Sequence, residues 1–176
     1  MAFTLARYKA SMAESFTADA LPGDKAARYA ALLIEIGAVL EGETNLVARM
    51  ATTASMLASA FEDFFWTGFY VVDPETPGEL VVGPYQGTLG CLRIAFGRGV
   101  CGAAAARRET LIVPDVDAFP GHIACDSRSR SEIVVPVLDN RGDLIAILDV
   151  DSAELAAFNE ADQTGLEAIA RRVSPA

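Results

Sequence analysis

The sequence predicts an α+β domain in which helices pack against a largely antiparallel sheet. Two stretches with the helical spacing of apolar residues come first, short segments rich in β-branched and aromatic residues follow, and an amphipathic stretch ends the chain. Strands that are grouped between helices, rather than alternating with them, are typical of this class. The 176 residues fit one domain, and a hydrophobic content of 52% suffices for a core without disulfide staples.

Four segments are predicted to be helical. The first follows the breaker and cap at Pro22-Gly23-Asp24 and covers residues 24–40, and the second begins with cap residues 43–45 and runs to about residue 60. A short helix is predicted over residues 99–108, where the basic residues at its end suit the helix dipole. The last helix covers residues 159–173 and carries an apolar stripe.

Two hairpins and two short strands are predicted between these helices. The turn sequence Pro-Glu-Thr-Pro-Gly joins the strands of the first hairpin, and Asp139-Asn-Arg-Gly142 joins those of the second. A long polar loop over residues 115–131 precedes the second hairpin, and loops of that length are often functional. The predicted strands cover residues 66–73, 79–85, 92–95, 110–113, 131–138 and 143–151.

Charge and composition exclude several classes of function. The formal net charge of −10 would repel a phosphate backbone, so we expect no nucleic-acid partner. The chain shows no signal-peptide layout and no apolar run long enough for a bilayer, so a soluble, cytoplasmic protein is expected. Three cysteines are too few for a disulfide framework. One histidine (His122) and no Cys-x-x-Cys pair predict no metal site, and we expect no cofactor.

Three cysteines lie among glycines, arginines and turn residues, a setting that indicates thiol redox chemistry. Cys101 falls in the first turn of a predicted helix, where the dipole lowers a thiol pKa, so local physics makes it the best thiolate. Cys125 has arginines nearby but also Asp126, which leaves its pKa open. Cys91 follows a Gly-x-x-Gly turn and suits a mobile resolving thiol. The alternative for each of them is an inert residue.

Carboxylates and aromatic residues at strand ends could line a pocket beside these thiols. Asp149 and Asp151 share one face of the last strand, where a raised pKa would let one act as a general acid or bind an ammonium group. The alternative is a strand end that reaches water. Glu132 is either a third carboxylate of that pocket or a surface residue paired with an arginine. Trp66 and Tyr70 are either core residues or an aromatic wall for a small ligand.

Six parts of the chain carry residues that occur together in one enzyme family. They are Phe64–Tyr70, Gly83–Gly87, Cys91, Gly97–Gly102, the loop from Asp115 through Cys125 to Glu132, and Leu148–Ser152. In this order they resemble the free methionine-(R)-sulfoxide reductases, which have the GAF fold. The resemblance extends from about Tyr29 to Val173, and three cysteines together with the Asp-Val-Asp segment form a signature that a general GAF sensor would not carry.

The resemblance has implications for architecture and for the thiols. It implies a six-stranded antiparallel sheet with α-helices on both sides, within one GAF domain over residues 1–176. The core would cover about residues 29–173, after a helical extension over residues 1–28. It also implies that Cys125, rather than Cys101, is the nucleophile. Cys91 would then resolve the sulfenic acid through a Cys91–Cys125 disulfide, and Cys101 would be an auxiliary or alternative partner.

The resemblance further implies a substrate and a reductant. Free methionine sulfoxide would be the substrate, thioredoxin the reductant, and a homodimer a possible assembly. The residues that would border the substrate are Trp66, Tyr70, Glu132, Asp149 and Asp151, with the three carboxylates at its polar end. Two alternatives remain open: a GAF sensor that binds a small ligand without catalysis, and a thiol enzyme that reduces peroxide.

Overall fold

A six-stranded antiparallel sheet forms the centre of the protein, in a computed structural model that describes residues 23–123 and 125–174. Across the sheet the strands stand in the order β3-β2-β1-β6-β5-β4, and neighbours run antiparallel. The two predicted hairpins are present, and the α+β class is confirmed. In chain order the strands are β1 (Trp66–Val72), β2 (Glu79–Gln86), β3 (Arg93–Ala95), β4 (Leu111–Val113), β5 (Ser131–Leu138) and β6 (Leu144–Ser152).

Helices cover both faces of the sheet, as the resemblance implies. They are α1 (Lys25–Val39), α2 (Leu46–Ala60), α3 (Gly99–Arg107) and α4 (Glu160–Val173). α1, α2 and α4 share one apolar cluster with the sheet, and α3 packs in a second cluster on the opposite face. Of the predicted extension over residues 1–28, residues 1–22 lie outside the described part of the chain. Within the described part of the chain, no helix is long and apolar enough to cross a membrane.

The two faces of β6 follow the predicted alternation except at its start. Ala146 belongs to the cluster under α1, α2 and α4, as expected from a period of two. The same period of two predicts Leu144 on the face of Ala146 and Ile145 on the opposite face, but Leu144 packs in the cluster under α3, whereas Ile145 packs on the Ala146 side. The reason is a shift in the β5–β6 register between Val137 and Leu138, since a bulge reverses the facing of the residues beyond it.

A buried carboxylate joins the two ends of the described chain. Asp162, in the first turn of α4, forms a capping box with Asn159. The same carboxylate accepts hydrogen bonds from Lys25 Nζ at 2.9 Å and from the Tyr29 hydroxyl at 3.0 Å. These contacts hold α1 directly against α4, so the two helices approach closely at the next turn.

Replacing Gly165 with alanine should destabilise the fold by about 1–3 kcal/mol, the usual cost of overpacking. A Cβ at Gly165 would lie 2.2 Å from Cγ of the buried Tyr29 ring, so α1 and α4 would have to separate. Gly37→Ala in α1 is the matched control. A Cβ there meets nothing within 4 Å, and alanine is the better helix former. Urea denaturation measures both variants, and equal stability of the two would contradict this packing.

Candidate active site

The register of three central strands brings the predicted site residues into one row. Trp66 on β1 stands opposite Asp151 on β6, and Asp151 stands opposite Glu132 on β5. Cross-strand partners share a face of the sheet, and Asp149, two residues before Asp151, points the same way. This face is the one that α3 covers, so Cys101 in α3 lies above the row. One pocket therefore includes all these residues in its lining.

Cys101 and two carboxylates form a buried cluster at the base of the pocket. Cys101, Glu132 and Asp149 are only 6%, 5% and 5% exposed. The Cys101 thiol donates a hydrogen bond to Glu132 Oε1 at 3.4 Å, whereas Asp149 Oδ1 is buried without a partner. Each of the three residues offers one atom that could ligate a metal ion, and these atoms lie within 4.8 Å of one another, as three ligands of one ion would.

The cluster holds protons that isolated carboxylates would lose. Burial raises the pKa of Glu132 and of Asp149 well above their usual ranges. The charges of Asp149 and Asp151 add to the shift of Glu132, whereas Asp151 adds to that of Asp149 and a hydrogen bond with Glu132 opposes it. Burial also raises the pKa of Asp151 to about 6, although a hydrogen bond donated by the Ser129 hydroxyl opposes the shift. Because three acids this close resist ionising together, the cluster can supply a proton near neutral pH.

Two interpretations based on local sequence are wrong. Cys101 was expected to be the best thiolate, but burial and the neighbouring carboxylates raise its pKa well above that of a free thiol. The position in the first turn of α3 does not compensate for this desolvation. The alternative of Glu132 as a surface residue paired with an arginine fails as well, because the side chain is buried and bonded to Cys101.

A disulfide joins Cys91 to Cys125 at the mouth of the pocket. The two Cα atoms are 5.5 Å apart, a usual distance for a disulfide, and 34 positions separate the residues in the chain. Cys125 is exposed and Cys91 is half-buried, so the bond can be reached from solvent. Cys101 is the free thiol among the three cysteines.

Polar contacts also tie together the two loops that carry this disulfide. Asp126, next to Cys125, accepts hydrogen bonds from the Thr88 hydroxyl of the Cys91 loop and from Arg128 Nη2, the latter at 2.8 Å. The Arg128 guanidinium lies over the Phe65 ring, 5.1 Å from its centroid. These hydrogen bonds hold the pKa of Asp126 below its usual range. Arg128 is thus paired with Asp126, which accounts for the opposing charges seen in the sequence around Cys125.

Aromatic rings form one wall of the pocket. Trp66 stacks against Tyr70 and Tyr85, with ring centroids 5.7 Å and 5.3 Å apart. Gly68 makes this possible, because a Cβ there would lie 2.2 Å from Cβ of Tyr85 and 2.9 Å from the Trp66 ring. Burial and Asp149 raise the pKa of Tyr70, so its hydroxyl stays neutral. Such a wall suits a small ligand with an apolar part.

Sequence reasoning missed three residues that shape the site: Gly68, Tyr85 and Ser129. Gly68 and Tyr85 lie inside segments that the resemblance already used, but their pairing depends on the β1–β2 register. Ser129 reaches Asp151 across the sheet end, a contact with no signal in the sequence. His122, to which no role was given, also lines the pocket, and burial lowers its pKa, which favours the neutral ring.

Comparisons with known proteins agree with the resemblance. The GAF-domain family model matches residues 27–176. Free methionine-R-sulfoxide reductase of Escherichia coli (strain K12) is 43% identical over 138 residues, which cover 78% of this chain and 81% of that protein. The protein of the same name in Saccharomyces cerevisiae (strain ATCC 204508 / S288c) is 39% identical over 147 residues, with coverages of 81% and 82%.

A solved structure agrees over most of the chain. It is the X-ray structure of free methionine-R-sulfoxide reductase from Neisseria meningitidis in complex with its substrate. The two chains are 51% identical and superpose with a TM-score of 0.82, over 86% of this chain and 89% of that one. At this identity the likeness extends beyond the fold, so it bears on the family to which the chain belongs.

Proposed function

Since this chain belongs to the GAF-domain family and, within it, to the free methionine-R-sulfoxide reductases, we propose that it reduces free L-methionine-(R)-S-oxide to L-methionine. The observation that carries the proposal is the arrangement of two reaction components around one pocket. The Cys91–Cys125 disulfide lies at the mouth, and the cluster of protonated acids lies at the base. A sulfoxide reductase that uses thiols needs both of them.

Cys125 is the proposed nucleophile. In the reduced protein its thiolate attacks the sulfoxide sulfur, while the sulfoxide oxygen accepts a proton from the acid cluster. The attack forms a bond between Cys125 Sγ and the substrate sulfur. The protonated oxygen then passes as hydroxyl from the substrate sulfur to Sγ while this sulfur–sulfur bond breaks, so methionine leaves with an electron pair and Cys125 is left as sulfenic acid. The substrate gains two electrons and the Cys125 sulfur loses two. Glu132 and Asp149 are the proposed proton donors, since they are the two most buried acids in the lining of the pocket.

Cys91 is proposed to resolve the oxidised nucleophile. Its thiol attacks the Cys125 sulfenic acid, a disulfide forms, and the oxygen leaves as water. The Thr88–Asp126 hydrogen bond supports this step because it keeps the two cysteine loops next to each other. Two thiols of an external reductant, proposed to be thioredoxin in the cytoplasm, then exchange with the disulfide and restore both cysteines. Cys101 would serve as an auxiliary thiol and as a hydrogen-bond donor to Glu132.

The acid cluster also supports a preference for the free amino acid. A free methionine sulfoxide carries an α-ammonium group, which an enclosed set of carboxylates can neutralise. A peptide-bound residue lacks this charge, so it would leave buried acids without a partner. The aromatic wall formed by Trp66 and Tyr70 would contact the apolar part of the substrate.

Blocking the α-ammonium should therefore lower turnover. We expect kcat/KM for N-acetyl-methionine-(R)-sulfoxide to be about 10- to 100-fold lower than for the free amino acid, because a lost hydrogen bond to a charged group costs about 1.5–3 kcal/mol. A thioredoxin-coupled assay of NADPH consumption measures both substrates, with the methyl ester of the free amino acid as a control that keeps the ammonium. Equal rates for the blocked and free substrates would contradict the assignment of the ammonium site.

The same assay separates the alternatives. Tight binding of methionine sulfoxide without NADPH consumption would indicate a GAF sensor that binds its ligand without catalysis. Faster NADPH consumption with hydrogen peroxide than with the sulfoxide would indicate a peroxide-reducing thiol enzyme instead.

A further inference from the structure

Exposed apolar side chains flank both cysteines of the disulfide in the chain. Leu89 and Leu92 are 82% and 76% exposed, and each lies within two positions of Cys91; Ile123, at 37%, lies two positions before Cys125. We call these three residues the apolar rim. Large exposed apolar residues are unremarkable singly, but a group of them around an accessible reactive bond marks an interaction surface.

Two arginines next to the apolar rim are paired within the protein. Arg128 forms an ion pair with Asp126 at 2.8 Å. Arg93, which follows Leu92, forms ion pairs with Asp73 and Glu79, both at 2.6 Å. The surface around the disulfide therefore presents apolar side chains and two neutralised arginines, while exposed Arg98 lines the pocket together with Leu89 and Ile123. Such a surface suits a partner that binds through apolar contacts rather than through a strong charge.

We propose that the apolar rim is the docking surface for the dithiol protein that reduces the Cys91–Cys125 disulfide, an oxidoreductase of the thioredoxin type. The proposal rests on the proposed function, since only a catalytic cycle requires repeated reduction of this bond. A small-molecule thiol needs no docking surface, whereas a protein must bring its reactive sulfur to a bond flanked by two loops. The exposed leucines are therefore explained by a protein reductant.

The exchange itself balances without a further reactant. A thiolate of the partner attacks one sulfur of the Cys91–Cys125 bond, that bond breaks, and a mixed disulfide between the two proteins forms. The partner's second thiolate then attacks the mixed disulfide and releases this chain with both cysteines reduced. The partner loses two electrons and the disulfide gains them. The apolar rim would hold the partner during the lifetime of the mixed disulfide.

Leu92 gives the cleanest test, because it is highly exposed and, unlike Leu89 and Ile123, does not line the pocket. The oxidised protein is mixed with reduced thioredoxin, and the second-order rate constant for loss of the disulfide is followed by stopped flow. The Leu92→Ser variant should react about tenfold more slowly, the effect of removing one central apolar contact. Leu89→Ser, measured in parallel, should show the same direction.

Two controls separate docking from other effects. Ile34→Ser removes an equally exposed apolar residue, 73% exposed, from α1 on the opposite face of the sheet, and should leave the rate unchanged. Dithiothreitol should reduce wild type and variants at the same rate, since it does not dock. An unchanged thioredoxin rate in Leu92→Ser and Leu89→Ser would overturn the proposal, and so would an equal slowing with dithiothreitol.

This test does not use methionine sulfoxide, so its failure differs from a failure of the proposed function. Reduction by thioredoxin that depends on the apolar rim, without turnover of the sulfoxide, would support the docking surface and contradict the proposed substrate. Turnover of the sulfoxide with thioredoxin that does not depend on the apolar rim would support the proposed substrate and contradict the docking surface.

Discussion

Replacing Cys125 with serine should lower turnover of free methionine-(R)-sulfoxide by about 10⁴-fold or more, the scale of losing the nucleophile in other covalent enzymes. A serine hydroxyl has nearly the same size but is not ionised near neutral pH, so no attack on the sulfoxide sulfur takes place. The coupled thioredoxin assay measures the effect in the purified variant. Methionine sulfoxide should still bind, because the acid cluster and the aromatic wall are unchanged.

Cys91→Ser is the matched variant because it removes the other half of the same disulfide. We expect it to form about one equivalent of methionine per chain and then stop, with a sulfenic acid on Cys125 that dimedone traps. Full turnover in Cys125→Ser, together with its loss in Cys101→Ser, would move the nucleophile to Cys101. That outcome would require the buried thiol to ionise among carboxylates.

Neutral replacements in the acid cluster should lower kcat while they stabilise the fold. Asp149→Asn and Glu132→Gln remove a group that can carry the transferred proton, and general acid catalysis contributes about 10²–10⁴-fold. Both side chains are nearly fully buried, and the raised pKa of each carboxyl means that folding disfavours its charged form. An amide of the same shape avoids this cost, so the variants should unfold at higher denaturant concentrations than wild type near pH 8.

The raised pKa values of the cluster predict how stability and turnover change with pH. A carboxyl whose folded pKa lies above its unfolded pKa holds more protons in the native state, so stability falls as pH rises through the window between the two values. Wild type should therefore lose stability from about pH 4 upward, and the difference from the amide variants should shrink toward that pH. Turnover by wild type should also fall as pH rises through the pKa values of the cluster, because the proton donor is lost.

Asp143→Asn is the control for these substitutions, since Asp143 is exposed just before β6 and lies outside the pocket lining. It should leave kcat unchanged. Unchanged turnover in both Asp149→Asn and Glu132→Gln would contradict the acid-cluster mechanism. Lower stability of both variants at high pH would contradict the buried, protonated state.

Local sequence patterns predicted the elements well because their signals lie close together in the chain. Asp24 and Asn45 cap their helices as expected, and the second hairpin has its predicted first strand at residues 131–138. The start of β6 was predicted less well, because the register shift near Leu138 arises from pairing with β5 and has no signature in β6 itself.

The chemical state of the site could not be derived from neighbours in the chain. Cys101 has favourable sequence neighbours, but its pKa depends on Glu132 and Asp149, which α3, β5 and β6 bring together from distant positions. Likewise, the arginines and Asp126 in the sequence around Cys125 leave its pKa open, and the structure shows that Arg128 is paired with Asp126. The order of motifs over the whole chain indicated the family, because it reflects contacts between distant residues that the neighbours of a single residue do not reveal.

A single-turnover experiment tests the central claim most directly. Fully reduced protein is mixed with excess free methionine-(R)-sulfoxide without any external reductant, methionine is quantified, and the cysteine linkage is mapped by mass spectrometry. The account predicts about one equivalent of methionine per chain, a Cys91–Cys125 disulfide in the product, and no methionine from the (S) epimer. Absence of methionine, or its formation while Cys91 and Cys125 both stay reduced, would contradict it.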